Sequence, residues 1–155
     1  MTPLLLIRPE PGCAASLAAA RALGLAAEGY PLFDVTPADW QVPDPADFDA
    51  LLIGSANALR HAGPGLARLA GLPALCVGQA TAEIARGAGL AVAATGSGGL
   101  QAVLDRLDGR FPRLLRLCGA ERIALDLPAG VTMAERVTYA ARARPLPDGL
   151  AEGLR

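Results

Sequence analysis

The chain contains no lysine: all fourteen of its basic residues are arginine, set against fifteen acidic residues for a formal net charge of −1. That absence removes Schiff-base chemistry and lysine general bases, along with the phosphate loop whose Gly-Lys-[Ser/Thr] ending cannot be written here. His61 is the single histidine, and the three cysteines, Cys13, Cys76 and Cys118, lie far apart with no Cys-x-x-Cys pair. A structural zinc site or a Cys/His catalytic pair is not expected, and no metal or cofactor is assigned. Near neutrality gives no general attraction for nucleic acid or an anionic membrane. Nothing approaches the ~20 apolar residues of a membrane span. The opening Met1-Thr2-Pro3-Leu4-Leu5-Leu6-Ile7-Arg8 has no basic leader and reads as a buried strand rather than a signal peptide. Aromatics make up only 4% of the chain against 52% hydrophobic residues, so the core must be built from Ala, Leu and Val. Such cores favour layered α/β packing over an aromatic-centred sandwich. Cys76 and Cys118 sit inside apolar runs as small hydrophobes, and free thiols fit a reducing cytoplasm.

With 155 residues the chain can hold one core, or one complete domain plus part of another. Leu4 to Ile7 is expected as a parallel strand, followed by a helix over Cys13–Leu23 that Gly24 stops. Residues 25–33 read as a second strand. Residues 34–47 carry Pro37, Pro43 and Pro45 with little periodicity and read as a crossing between domains. From there strands and helices alternate: strand 50–53, helix 56–62 capped by Ser55, a second helical piece to Ala70, strand 74–77, and a helix stopped by Gly87 and Gly89. Strand 90–94, helix 100–107, strand 114–117, a short helix ended by Pro128, and a last strand over about 131–141 complete the pattern. This alternation predicts a parallel sheet with right-handed crossovers, covered on both faces.

Four strand-to-helix corners carry small or hydroxylated residues: Gly54-Ser55, Gly78-Gln79, Ser97-Gly98 and Gly119-Ala120. In a parallel sheet all of them fall at the carboxyl edge, where open α/β sheets bind ligands, beside helix N-termini suited to carboxylates or phosphates. Any one of them alone reads as a well-capped loop; four on one edge shift the balance toward an anion site. Gly96-Ser97-Gly98-Gly99 lacks the third glycine of the dinucleotide fingerprint, and Ile53-Gly54-Ser55-Ala56-Asn57 is not the nucleophile elbow Gly-x-Ser-x-Gly.

The order of segments resembles the uroporphyrinogen-III synthase family. The pieces that carry the resemblance are Arg8-Pro9, Tyr30-Pro31-Leu32-Phe33, and Phe48 through Ala58 with its Gly54-Ser55-Ala56-Asn57. After them come Val77-Gly78-Gln79-Ala80-Thr81-Ala82, Gly87-Ala88-Gly89-Leu90, Gly98-Gly99-Leu100, Leu115-Arg116-Leu117-Cys118-Gly119 and Val137-Thr138-Tyr139. The resemblance implies an α/β protein of two domains, each flavodoxin-like, with residues 1–33 opening the first domain, 34–136 forming a complete second one, and 137–155 returning into a first domain that is truncated. It also implies a cofactor-free lyase of tetrapyrrole and haem biosynthesis. This enzyme cyclises hydroxymethylbilane to uroporphyrinogen III with loss of water and inversion of ring D, and is a monomer at full length.

Because the substrate closes unaided to the wrong isomer, what such an enzyme supplies is conformation, a demand compatible with a chain lacking Lys and clustered His. Its eight carboxylates would be met by backbone N–H groups at Ser55, Ala56, Gly78, Gln79, Ser97, Gly98 and Gly119, aided by Arg8, Arg122 and the Thr81 hydroxyl. Each retains a plainer alternative: Arg8 as a solvent-facing strand end, Arg122 as a surface helix residue, Thr81 as local capping. Tyr139 matches the family's tyrosine and is the preferred general acid for the departing hydroxyl, with a packed strand tyrosine as the alternative. His61 reads as the exposed end of a helix. A non-catalytic flavodoxin-like module binding an anionic metabolite or protein partner is the competing reading, and it predicts no turnover.

Overall fold

The structure, a computed structural model, describes residues 3–153. Met1, Thr2, Leu154 and Arg155, which the sequence reading placed in its first and last segments, lie outside the described residues. Two compact units divide the chain: one of residues up to Thr36 together with those from Ala141 onward, and one of Pro37–Ala140.

In the smaller unit β1 (Leu4–Leu6) pairs in parallel with β2 (Ala27–Gly29) across helix α1 (Gly12–Ala22). Cys13 is buried against this pair, its thiol 3.6 Å from the Leu6 carbonyl. The expectation of a fully buried first strand fails, since Leu4 and Ile7 remain 47% and 49% exposed. A two-stranded sheet covered by one helix leaves its other face open. The strand expected over 25–33 ends at Gly29, because Pro31 has no N–H to continue the ladder. The chain resumes as β3 (Phe33–Pro37), inside a stretch expected to be irregular, where the Arg144 N–H donates to the Leu32 carbonyl at 2.7 Å.

The larger unit holds β4 (Ala50–Ile53), β5 (Ala74–Val77), β6 (Val92–Gly96), β7 (Arg113–Gly119) and most of β8 (Thr132–Ala143). All neighbouring pairs among these five are parallel. The helices α2 (Ala56–Arg60), α3 (Gln79–Gly87) and α4 (Leu100–Asp105) connect them, with a 3-10 segment over Pro64–Leu69 where a second helix was expected. β6 starts two residues later than expected because the Leu90 N–H is already spent on the Ala85 carbonyl, closing the end of α3 after a left-handed Gly89. The short helix expected before Pro128 does not form, for reasons that belong to the site below.

The strands lie in the order β6-β5-β4-β7-β8. Counted from β4 this is 3-2-1-4-5, not the 2-1-3-4-5 winding of a flavodoxin-like domain. β5 and β6 are both laid on one side of β4 before the chain returns to place β7 on the other. Strand alternation then splits the core. Leu51, Ile53, Leu115 and Leu117 pack under α2, the 3-10 segment and α3, while Ala50, Leu52, Leu75 and Leu114 pack under α4. Trp40 closes the first of these layers, its indole N–H donating to the Ala62 carbonyl at 2.8 Å.

The amino ends of β4 and β7 are clamped from the surface. The Asp49 carboxylate accepts from Arg113 Nη2 at 2.8 Å, Nε at 3.2 Å and the backbone N–H at 2.9 Å. These hydrogen bonds hold the Asp49 carboxyl below its ordinary pKa of 3.8. A lowered folded-state pKa contributes stability that is complete above the unfolded value and is lost as pH falls through the folded one. Asp49→Asn should therefore flatten the acid limb of the stability profile below about pH 4. Thermal melts at several acidic pH values would show this as a smaller fall in midpoint than the wild type suffers.

Candidate functional site

In a sheet wound 3-2-1-4-5, the direction of winding reverses between β4 and β7, and a crevice opens there at the carboxyl edge. A cavity of about 550 Å³ occupies that position, within the roughly 300–1,000 Å³ range of small-molecule sites. Its walls are the ends of β4 (Gly54, Ser55) and β7 (Cys118, Gly119), the opening of α4 (Gly98–Gln101), the segment Glu121–Leu125, and the side chains of Arg116 and Tyr139.

Local sequence explains each wall. Gly98 and Gly99 both have positive φ, +84° and +95°, a conformation few side chains tolerate, and together they turn the chain from β6 into α4. The Ser55 hydroxyl accepts from the Asn57 N–H at 3.2 Å and starts α2. Tyr139 is aimed by a β-bulge: the register between β7 and β8 slips so that Cys118 faces Val137 but Gly119 faces Tyr139. The extra residue, Thr138, is fully buried and ties its hydroxyl to the Ala58 carbonyl at 2.7 Å. The Tyr139 ring then lies over Gly119, so closely that a methyl group there would stand 2.7 Å from Cζ. The ring of His61 is 6.3 Å away, centroid to centroid. His61 is partly buried rather than a free helix end, and desolvation, with the neighbouring Arg60 charge, lowers its pKa and favours the neutral imidazole.

The charged floor was not anticipated. Arg116, in the middle of β7, is only 5% exposed, and its Nη1 donates to the Ile123 carbonyl at 2.9 Å and reaches Glu135 at 3.4 Å. The second oxygen of Glu135 accepts from Arg122 Nε, and Arg122 also donates to the Ala120 carbonyl at 3.0 Å. Gln101 clasps Asp126 in both directions, donating to its carbonyl and accepting its N–H, each at 2.9 Å. These side chains take up the backbone groups of residues 123 and 126 that a helix would have needed, so the segment stays irregular. Cys118 in the same floor has its pKa raised, first by desolvation, and stays a neutral thiol.

Of the residues singled out from the sequence, Ser55, Gly98, Gly119, Arg122 and Tyr139 line the cavity. Ala56, Gly78, Gln79, Thr81 and Ser97 do not line it, although the corners that hold them share its edge of the sheet. The Gly78 N–H is spent on the Gly96 carbonyl and the Ala120 N–H on the Tyr139 carbonyl, both at 2.9 Å, so these two amides are not open donors. Gly119-Ala120 opens no helix, and Arg122 belongs to the irregular segment rather than to a helical turn. Arg8 lies in the smaller unit and donates to the Ser16 hydroxyl at 3.1 Å. Arg116, Gln101, Thr138 and Glu135 were missed. The one available signal was an arginine within the otherwise apolar run Leu114-Leu115-Arg116-Leu117-Cys118. Among the described residues no helix is long and apolar enough to cross a membrane, and no three His, Cys, Asp or Glu side chains are grouped to hold a metal ion.

A parallel sheet, covered by helices and carrying a cavity at its winding reversal, defines an open α/β domain with a candidate ligand site. The family model described as uroporphyrinogen-III synthase HemD matches residues 15–155. The chain belongs to the uroporphyrinogen-III synthase family, enzymes of the lyase class that act in tetrapyrrole and haem biosynthesis. Its fold is similar to the crystal structure of uroporphyrinogen-III synthetase from Helicobacter pylori, with a TM-score of 0.57 at 18% identity, over 100% of this chain and 68% of that one. It is also similar to a mutant uroporphyrinogen III synthase from the extremely thermophilic bacterium Thermus thermophilus, with a TM-score of 0.54 at 20% identity, over 98% of this chain and 65% of that one. The chain thus spans about two thirds of the length of these solved structures. No curated protein matches the sequence.

Proposed function

We propose that the chain cyclises hydroxymethylbilane to uroporphyrinogen III, with the cavity between β4 and β7 as the part of the active site borne by the Pro37–Ala140 unit. The observation that carries this reading is the cavity itself: a concave site at the winding reversal of a member of this family, with a phenol held at its rim. In the reaction the C–O bond of the hydroxymethyl group breaks as Tyr139 delivers a proton, so that water leaves. The pyrrole nitrogen's electron pair takes up the resulting deficiency as an azafulvene. The substituted carbon of the terminal ring attacks it, and the spiro intermediate fragments and recloses with ring D inverted, the unsubstituted carbon of that ring losing the proton that restores the phenol. The protein contributes geometry and the donation and recovery of one proton, without a cofactor.

Ser55, Gly98, Gly119 and Arg122 receive acetate and propionate side chains of the substrate at the cavity. Ala56, Gln79, Thr81 and Ser97 serve along the same edge outside it, and Arg8 binds a further carboxylate. The reading also takes residues 1–33 and those from 137 onward as parts of a first domain and residues 34–136 as the second, in a protein that works as a monomer. The near-neutral chain offers nucleic acid and membranes no general attraction, and three free, buried thiols suit the cytoplasm. A coupled assay that generates hydroxymethylbilane and separates the product isomers by chromatography tests the whole. The III isomer should exceed the background of spontaneous closure, which yields isomer I; a product mixture identical to the protein-free control would end this reading.

A further inference from the structure

Among the described residues, one buried side-chain nitrogen or oxygen has no hydrogen-bond partner: Nε of Arg116. Its surroundings make this unusual. Arg116 is paired in the sheet with Leu52 on one side and Glu135 on the other, and its side chain is 6% exposed. The single carboxylate of Glu135 is shared between two guanidiniums, Arg116 through one oxygen and Arg122 through the other. The cluster therefore carries one positive charge more than it can neutralise, beside a cavity whose lining includes Leu100, Leu117, Ile123 and Leu125. The carboxylate in the lining, Glu121, is exposed and forms no ion pair with either arginine among the described residues. A buried surplus cation with an unanswered N–H is costly unless an anion completes it. The side of a guanidinium that presents Nε is one of the two forks that bind carboxylates in bidentate fashion.

We infer that Arg116 binds a carboxylate of the ligand, with Glu135 as the resident counter-ion that bridges the two guanidiniums until the ligand arrives. The inference rests on the functional reading above and deepens it by naming the residue that fixes one carboxylate arm against the winding reversal. The arm binds to Arg116 and Arg122 together, and the exposed Glu121 discourages a second carboxylate at the outer end. Because Arg116 also holds the Ile123 carbonyl, occupation of the site and the position of the 121–125 wall are linked.

The test is a fluorescence titration of the full chain with uroporphyrin III, the stable oxidised form of the product, for the wild type and the variants Arg116→Met, Arg116→Lys, Arg113→Met and Glu135→Gln. Arg116→Met should weaken binding by about tenfold or more, as expected for loss of a charge-assisted pair. Arg116→Lys should recover part of the loss, since it restores the charge without the planar fork. Arg113→Met removes an equal charge from the same strand at the surface and should change affinity less than about twofold. An Arg116→Met protein that folds, by circular dichroism, and binds as the wild type does would overturn the assignment while leaving the functional reading intact. Absence of binding by the wild type would overturn both. Should Arg116→Met fail to fold, Glu135→Gln decides: removing the competing anion should tighten binding severalfold, and unchanged or weaker binding refutes the role of Arg116.

Discussion

Leu52→Ala is expected to lower the unfolding free energy of the Pro37–Ala140 unit by about 3 kcal/mol, within the roughly 2–5 kcal/mol range of buried leucine truncations. Leu52 has no solvent exposure and sits in the sheet opposite Leu75 on one side and Arg116 on the other. It packs under α4 with Leu75, Val103, Leu104 and Leu114. Its strand neighbours Leu75 and Leu114 are fixed by sheet hydrogen bonds and cannot collapse into the space left behind, so the transfer loss and the cavity cost add. A second effect works in the same direction: thinning the apolar packing beside Arg116 admits water toward a guanidinium now held dry. Thermal melting should show a midpoint lowered by more than about 10 °C. Ile123→Ala supplies the contrast. That side chain is 82% exposed, and what matters structurally at this position is its backbone carbonyl, so the change should stay within about 0.5 kcal/mol. Similar losses for the two variants would mean that the α4 side of the sheet is not the cohesive layer described here.

The contrast between these positions also shows which parts of the molecule the sequence expresses. Ala50–Ile53 and Ala74–Val77 were legible to the residue, because four consecutive apolar residues bounded by turn formers have one stable placement, a strand buried on both faces. β6 slipped by two residues because the cap of α3 draws in Leu90, a contact that apolar runs alone do not reveal. The failed helix before Pro128 is of another kind. Local propensity there was overruled by Arg116 and Gln101, which lie 7 and 25 residues from the backbone groups they bind. The winding order was hidden for a similar reason. Each crossover is right-handed whichever side of β4 it lands on, so the pattern of strands and helices fits both 2-1-3-4-5 and 3-2-1-4-5.

The same division runs through the candidate site. Glycine-bearing corners could be read as a set, since each follows a strand of a parallel sheet. Which of them meet around one cavity depends on where the winding reverses, and that made Gly54, Gly98 and Gly119 neighbours while leaving Gly78 and Ser97 outside. Arg116 shows the limit most plainly. A charge inside an apolar strand is visible in the sequence, but whether it is neutralised, and by what, is decided by Glu135 on a neighbouring strand.

Tyr139→Phe is expected to reduce the rate of III-isomer formation by about 10²-fold, the low end of what a positioned proton donor contributes, with little change in stability. Among the described residues none accepts a hydrogen bond from the phenol, so removing its oxygen breaks no internal bond and withdraws only the proton. Gly119→Ala should produce a loss of similar size by a different route. Gly119 does not need glycine for its backbone, since its φ is not positive. What it supplies is the space into which the Tyr139 ring settles: an added methyl would lie 2.7 Å from Cζ, 2.8 Å from Cε2 and 2.9 Å from Oη. The backbone cannot yield easily, because the Ala120 N–H is bonded to the Tyr139 carbonyl and Thr138 is tied to α2. The ring must therefore swing, carrying the hydroxyl away from the cavity by a distance on the order of 1 Å, enough to cost about 10²-fold where a reacting group has to be aligned. The two variants separate two meanings of Tyr139. If the phenol is the proton donor, both lose the III isomer and the spontaneous I isomer takes its place in the chromatogram. A Tyr139→Phe protein that keeps its rate while Gly119→Ala loses it would instead make the ring a wall that shapes the cavity, and the departing hydroxyl would take its proton from elsewhere.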